Sequence, residues 1–207
     1  MESGMLVQLC AKPGQDDSVT RNYSVASWQD GTPRFELIVT YLKGGAMSEY
    51  LFKEAKVGDE FIYRGPMGIF TLPEDLTERD IYFVSTGSGV SPFRSMMNHI
   101  YENKVPFKNI KLFFGTRKYE DLVYLDEFTK FRDELPNFDY IPTLSQENKL
   151  GFKSGHVHKH YLNLIDHHEY KPLVYFCGWD RMIRDGRMYL AERGFEMTQD
   201  IRVEIFG

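Results

Sequence analysis

The sequence predicts a two-part fold, with an antiparallel β-barrel over residues 1–75 followed by an α/β domain with a parallel sheet over residues 80–207. Before residue 75, short apolar runs are separated by turn-forming pairs such as Asp30-Gly31 and Gly58-Asp59, which is typical of antiparallel sheets. After residue 80, compact apolar runs alternate with helical periodicity. That alternation indicates a parallel sheet with helices on its faces.

The first half is predicted to be mostly strand. Its single helix is expected over Ser48–Ala55, and its four strands are expected over Met5–Leu9, Tyr23–Trp28, Phe35–Leu42 and Glu60–Arg64. Residues 72–79, which include Pro73, are the expected link to the second half.

The second half is predicted to alternate strand and helix. The expected strands are Asp80–Ser85, Asn109–Gly115, Phe138–Leu144, Leu173–Cys177 and Ile201–Phe206. The expected helices are Ser91–Asn103, Tyr124–Glu134, His156–Ile165 and Asp180–Arg193. In such sheets, ligands bind beyond the carboxyl ends of the strands.

Composition and charge exclude several classes of function. The 207 residues are 42% hydrophobic with a net charge of -5, and no basic run of the kind that binds nucleic acid is present. No segment approaches the roughly 18 apolar residues of a membrane span, and residues 1–9 lack the pattern of a signal peptide. Cys10 and Cys177 are far apart, which argues against an iron–sulfur cluster or a zinc ribbon. We therefore expect a cytoplasmic protein.

A glycine-rich turn joins the first strand of the second half to a helix. Thr86-Gly87-Ser88-Gly89 follows a buried strand, and Pro92 suits the first turn of the helix. Glycines let backbone N–H groups approach a phosphate, and a helix N-terminus favours an anion. Pro92 stands where a dinucleotide fingerprint has its third glycine, so a phosphate site and a plain turn both remain open from this segment alone.

Two segments of the first half carry residues suited to a phosphate group and a planar ring. On a strand, Arg21 and Tyr23 share one face and Ser24 faces the other way. A guanidinium can pair with a phosphate, and a tyrosine can stack on a planar ring. The turn from Gly45 to Ser48 opens the predicted helix, where the serine either helps to hold an anion or simply caps the helix.

Seven motifs in order resemble those of the ferredoxin–NADP reductase superfamily, from about residue 4 to the end of the chain. They are Arg21-Asn22-Tyr23-Ser24, Gly45-Ala46-Met47-Ser48, Gly65-Pro66-Met67-Gly68, the glycine turn at 86–92, Phe114-Gly115-Thr116-Arg117, Cys177-Gly178-Trp179-Asp180-Arg181-Met182, and the ending Val203-Glu204-Ile205-Phe206-Gly207. The barrel would then be a flavin domain and the α/β part a nucleotide-binding domain.

The resemblance also implies roles for individual residues. Ser24, Cys177, Glu204 and Phe206 would shape the site of hydride transfer. Binding of FAD and of the pyridine nucleotide would involve Arg21, Asn22, Tyr23, Ser24, Gly45, Ala46, Met47, Ser48, Thr86, Gly87, Ser88, Gly89, Pro92, Arg117, Cys177, Gly178, Met182 and Phe206. No metal site is expected: His156, His158 and His160 alternate in sequence but enter a predicted helix, where alternate residues diverge.

The implied activity is hydride transfer from NADH or NADPH to FAD, followed by electron delivery to a protein such as ferredoxin, flavodoxin or an oxygenase component. The alternatives are a reductase of quinones, free flavins or ferric chelates, and an electron-transfer subunit or nucleotide-binding module of a larger complex. Gln146 and Glu147 disfavour a 2′-phosphate, which favours NADH.

The family's flavin domain begins at least one strand before the segment Gly4-Met5-Leu6-Val7. The resemblance therefore implies a barrel without its first strand. An open sheet edge invites a partner strand, and we expect another chain or a swapped segment, in a homo- or hetero-oligomer, to cover it.

Overall fold

A computed structural model describes residues 3–12, 14, 18–28, 30–167 and 170–206. Within these residues the first half contains a three-stranded antiparallel sheet in the order β2-β1-β3. Its strands are β1 (Leu6–Ala11), β2 (Val19–Ser24) and β3 (Ile62–Met67), and its helix is α1 (Ala46–Lys53).

The first sheet packs one face against α1. Alternate side chains of β1 are buried, as expected for a strand with one covered face. Leu9, Ala11 and Met47 form a small core between sheet and helix, with Tyr23 and Tyr50 packed beside it. This core fixes α1 next to the strand that carries the Arg21–Ser24 motif.

Two strand predictions in this half were wrong. The strand expected over Tyr23–Trp28 ends at Ser24, and Phe35–Leu42 forms only one antiparallel bridge, between Val25 and Leu37. The Ala26 N–H donates to the Glu36 carbonyl at 2.8 Å, but the Glu36 N–H donates to the Ser27 hydroxyl at 3.0 Å and not to a backbone carbonyl. A side chain thus takes the place of the next backbone acceptor and the ladder stops.

The second half contains, within the described residues, a parallel six-stranded sheet in the order β7-β6-β5-β4-β8-β9. The strands are β4 (Ile81–Thr86), β5 (Ile110–Thr116), β6 (Phe138–Leu144), β7 (Lys153–Ser154), β8 (Leu173–Trp179) and β9 (Ile201–Phe206). The helices are α2 (Ser91–Asn103), α3 (Leu125–Glu134), α4 (Val157–Ile165) and α5 (Asp180–Ala191). The predicted order of an antiparallel part followed by a parallel α/β part is confirmed, and β7 is the strand that the sequence pattern missed.

Helices cover both faces of the parallel sheet. On one face, α2 and α3 pack on side chains such as Phe83, which stacks on Phe93 with ring centroids 4.6 Å apart. On the other face, α4 and α5 pack on Tyr82, Val84 and Phe176. Burial on both faces explains why the strands of this half read as continuous apolar runs.

The two halves meet along an apolar and hydrogen-bonded seam. Phe70, at the end of the first half, is buried against Phe93 and Tyr175. The Tyr175 hydroxyl donates to the Thr71 carbonyl at 2.9 Å. The end of β2 consequently faces the carboxyl ends of the parallel strands. None of the helices in the described residues is long and apolar enough to cross a membrane.

Candidate functional site

The glycine turn lies against the end of β8. Residues Gly87–Val90 form one turn of 3-10 helix between β4 and α2. A Cβ atom on Gly89 would lie 2.3 Å from the Cys177 carbonyl oxygen, and one on Gly178 would lie 2.5 Å from the Thr86 hydroxyl oxygen. Both glycines are therefore needed for the close approach of the two turns at the carboxyl edge of the sheet.

Three side chains from three strands meet at this edge. Ser24, at the end of β2, donates its hydroxyl hydrogen bond to the Glu204 carboxyl on β9. The Cys177 sulfur, at the end of β8, lies 3.9 Å from the same Glu204 oxygen. Ser24 and Cys177 are buried. The cluster joins the first half of the chain to the second.

Burial controls the protonation of this cluster. Burial raises the pKa of the Cys177 thiol well above its usual value, and the neighbouring Glu204 carboxyl adds a smaller rise. A buried neutral thiol is a poor nucleophile, so Cys177 forms a wall of the site. Burial also raises the pKa of Glu204, an effect that the hydrogen bonds from Ser24 and Cys177 oppose without cancelling.

The Arg21–Ser24 motif presents a guanidinium and a ring on one side of β2. Arg21 is exposed and donates to the Thr20 carbonyl at 2.7 Å. Tyr23 is half-buried. Burial raises its pKa, and the nearby positive charge of Arg21 offsets only part of this rise. Asn22 is exposed and accepts a hydrogen bond from Gln8 at 3.2 Å, which places it on the opposite side.

The N-terminus of α1 offers free backbone donors beside β2. The helix begins at Ala46 after Gly45, and within the described residues no side chain caps it. The Ser48 hydroxyl oxygen instead lies 2.9 and 3.0 Å from the Leu42 and Gly45 carbonyl oxygens, which share its one hydrogen, and it accepts the Leu42 N–H at 3.1 Å. Ser48 therefore holds the preceding turn and is not the helix cap. Met47 is buried in the core and Ala46 is exposed.

The rim of the carboxyl edge carries Arg117 and Trp179. The Arg117 guanidinium lies over the Trp179 ring at 5.8 Å from its centroid, and the backbone N–H of Trp179 donates to the Thr86 hydroxyl at 3.2 Å. Trp179 is 64% exposed. Trp179 stands where members of the resembling family often have a proline after Cys-Gly, and the resemblance implies that it changes the wall of the nicotinamide pocket.

The remaining expected site residues lie at different depths. Pro92 is buried in the first turn of α2, Ser88 is half-buried in the glycine turn, and Met182 is buried in the core under α5. Phe206 is the last residue of β9, and the role expected for its side chain lies outside the described residues.

The three alternating histidines do not converge. His156 precedes the first residue of α4, His158 Nδ1 lies 2.8 Å from the Tyr161 hydroxyl, and His160 Nε2 lies 3.0 Å from the Ser154 carbonyl. In the part of the chain that the structure describes, no group of three or more His, Cys, Asp or Glu side chains is arranged to hold a metal ion.

These features fit a flavin dinucleotide in the first half and a pyridine dinucleotide in the second. The uncapped N-terminus of α1, with Arg21 on the adjoining strand, suits a pyrophosphate. A Cβ on Gly87 would find open space, so the glycine turn leaves room for a second phosphate group. Tyr23 offers a ring for stacking.

Family models match both halves of the chain. Residues 1–72 match the "Oxidoreductase FAD-binding domain" and residues 83–187 match the "Oxidoreductase NAD-binding domain". A relative named ferredoxin–NADP reductase B, from Sorangium cellulosum, is 35% identical over 188 residues, which is 88% of this chain and 75% of the relative. The reductase component of phenol 2-monooxygenase from Pseudomonas sp. strain CF600 is 33% identical over 99% of this chain and 57% of its own length.

Solved structures show the same fold. The crystal structure of a cytochrome P450 reductase from Amycolatopsis superposes with a TM-score of 0.87 at 26% identity, covering 100% of this chain and 61% of that one. A ferredoxin NADP+ reductase from Neisseria gonorrhoeae, with bound FAD and NADP, has a TM-score of 0.81 at 22% identity, covering 99% of this chain and 87% of that one.

The chain spans three quarters of the first of these curated relatives but only 57% of the phenol 2-monooxygenase component. The two matched domains, their order and the identity to the Sorangium relative nevertheless agree with one another. The chain belongs to the ferredoxin–NADP reductase superfamily of oxidoreductases with FAD-binding and NAD-binding domains.

Proposed function

We propose that this chain is an NAD(P)H-dependent flavoprotein reductase that transfers a hydride from the nicotinamide to FAD and passes the electrons to a protein acceptor. The observation that carries the proposal is the cluster of Ser24, Cys177 and Glu204. The cluster brings together the end of β2, which carries the Arg21–Ser24 motif, and the end of β8, which lies beside the glycine turn. Two cofactors bound by the two halves would meet at this place.

The residues of the cluster provide the surroundings for the reaction. Bound FAD would supply hydride acceptance and electron release. Ser24 places a hydroxyl group, oriented by its donation to Glu204, at the meeting point of the halves. Cys177, neutral and buried, presents an uncharged surface. Tyr23 offers an aromatic face, and the glycine turn and the N-terminus of α1 provide N–H groups for phosphates.

The names of the relatives support a protein acceptor. One is named for ferredoxin, one is the reductase component of a monooxygenase, and another, 30% identical, is the electron transfer component of anthranilate 1,2-dioxygenase from Acinetobacter baylyi. We infer that this chain likewise delivers electrons to a ferredoxin or to an oxygenase component.

The surface beyond β5 and β6 favours NADH as the donor. Lys118, Tyr119, Glu120, Gln146 and Glu147 line a hollow of about 350 Å³. The Glu147 carboxyl is fixed there by the Tyr119 N–H at 2.8 Å. Two carboxylates at this hollow would repel a 2′-phosphate, although Lys118 partly offsets them. The hollow would therefore accept an unphosphorylated ribose more readily.

An anaerobic absorption spectrum of the FAD-loaded protein, before and after addition of NADH or NADPH, tests the proposal. Bleaching within seconds is expected, faster with NADH. Ser24→Ala should slow bleaching about tenfold to a hundredfold, because the end of β2 is then no longer held against Glu204 and a misplacement of about 1 Å costs roughly a hundredfold. Ser154→Ala, on the exposed strand β7, is the matched control and should bleach normally. A wild-type protein that binds FAD but is bleached by neither nucleotide would contradict the proposal.

A further inference from the structure

Arg94 lies at the boundary between the two halves. It belongs to α2, and its side chain is only 11% exposed. Its Nη1 group donates to the Ala26 carbonyl at 3.1 Å and to the Glu36 carboxylate at 2.5 Å, both in the first half. Its Nε group donates to the Glu127 carboxylate at 2.8 Å, on α3 of the second half. One guanidinium therefore binds both halves at once.

The surroundings hold this guanidinium in a single orientation. Tyr124 lies over it, with the ring centroid 4.0 Å from the guanidinium carbon. Tyr124 has a φ of 55°, a left-handed conformation that is unfavourable for a bulky residue and persists only where contacts enforce it. Asn98 donates a hydrogen bond to the second oxygen of Glu127, which fixes the carboxylate.

The boundary contact connects the two candidate binding motifs by very short stretches of chain. Ala26 follows Ser24 by two residues, and Arg94 follows the glycine turn, which ends at Val90, by four. The Ser95 hydroxyl reinforces the link by donating to the Ser27 carbonyl at 2.7 Å. The start of α2, which directly follows the glycine turn, is thus bonded to the segment that directly follows Ser24.

We propose that Arg94 is a positioning residue for hydride transfer, holding the Ser24 end of β2 in register with Cys177 and Glu204. The inference rests on the proposed function. In the part of the chain that the structure describes, the contacts of the Arg94 side chain are to Ala26, Glu36, Glu127 and Tyr124. It therefore acts on the three side chains of the cluster through the Ala26–Ser27 backbone. Only arginine presents donors in a planar fork that reaches a carbonyl and two carboxylates together.

The test compares Arg94→Met and Arg94→Lys with a matched control, Arg132→Met, whose guanidinium pairs with the adjacent Asp133 on the exposed end of α3. Three quantities are measured on FAD-loaded protein: the stopped-flow rate of flavin bleaching at saturating NADH, the dissociation constants of FAD and NADH, and hydrogen exchange of the backbone over residues 24–37.

Arg94→Met should slow bleaching roughly a hundredfold, as a misplacement of about 1 Å does, while both dissociation constants stay within about threefold of wild type. Hydrogen exchange over residues 24–37 should speed up. Arg94→Lys keeps the charge without the fork and should recover only part of the rate. The control should match wild type in all three measurements.

An unchanged bleaching rate in Arg94→Met, or a slower rate explained entirely by weaker FAD or NADH binding, overturns the proposal. If Arg94→Met does not fold, Glu36→Gln decides: Glu36 is 57% exposed, so its loss should spare the fold and slow bleaching roughly threefold, and an unchanged rate overturns the proposal. If NADH does not bleach the wild-type protein either, the proposed function has failed. If hydrogen exchange over residues 24–37 is unchanged in Arg94→Met, Arg94 does not hold this segment, and the positioning proposal is overturned.

Discussion

Replacement of Gly89 by alanine tests the contact between the glycine turn and β8. The new Cβ would lie 2.3 Å from the Cys177 carbonyl oxygen and 2.6 Å from the Gly178 Cα, both backbone atoms. Since an ordinary Cβ contact begins at 3.4 Å, the two turns must separate by about 1 Å. Gly89 lies outside the left-handed region, so alanine would otherwise be favoured by about 0.5–1 kcal/mol. The steric overlap outweighs this gain, so the Gly89→Ala substitution should destabilise the fold.

A displacement of this size should slow flavin bleaching by NADH roughly a hundredfold and lower the free energy of unfolding by about 1–3 kcal/mol. Stopped-flow absorbance and a nucleotide titration measure the effect on the reaction with NADH, and thermal denaturation measures the effect on stability. Gly151→Ala is the control, because its φ of 88° makes alanine strained while its Cβ would meet open space. This change should cost about 1–2 kcal/mol and leave the rate unchanged. A Gly89→Ala protein with wild-type rate and nucleotide affinity would refute the close contact.

Three further predictions follow from the site. Because burial raises the pKa of Glu204, the folded protein holds this proton more tightly than the unfolded chain does, so stability falls as pH rises from the unfolded value near 4.3 through the raised folded pKa. Glu204→Gln should remove that fall, and identical melting-temperature profiles of variant and wild type from pH 4 to 8 would contradict it. Tyr23→Leu should weaken FAD binding about twofold to tenfold, since ring stacking contributes about 0.5–1.5 kcal/mol; a fluorescence titration that gives the wild-type dissociation constant would argue against stacking. Gln146→Arg should raise kcat/KM for NADPH relative to NADH about tenfold, by pairing with the 2′-phosphate, and an unchanged ratio would place that phosphate elsewhere.

Secondary structure was predictable where the pattern was local and strong. The boundaries of α2 at Ser91 and Asn103 agree with the prediction, because a glycine turn and Pro92 mark the start and the apolar periodicity marks the extent. Of the strand expected over Phe35–Leu42, only the bridge at Leu37 formed, because pairing depends on which atoms lie opposite, and on the Phe35 side of this bridge a serine hydroxyl takes the place of the backbone acceptor.

The division into an antiparallel and a parallel part, and the ordered motifs that indicate the family, could be read from the amino-acid sequence, because turn residues, periodicity and glycine positions act over a few neighbouring residues. The contact of Ser24 with Glu204, 180 residues away, and the link that Arg94 makes from Ala26 and Glu36 to Glu127 became visible in the folded structure alone. Such contacts depend on how the two sheets pack along their seam, and no local pattern encodes the distance between residues that far apart in the chain.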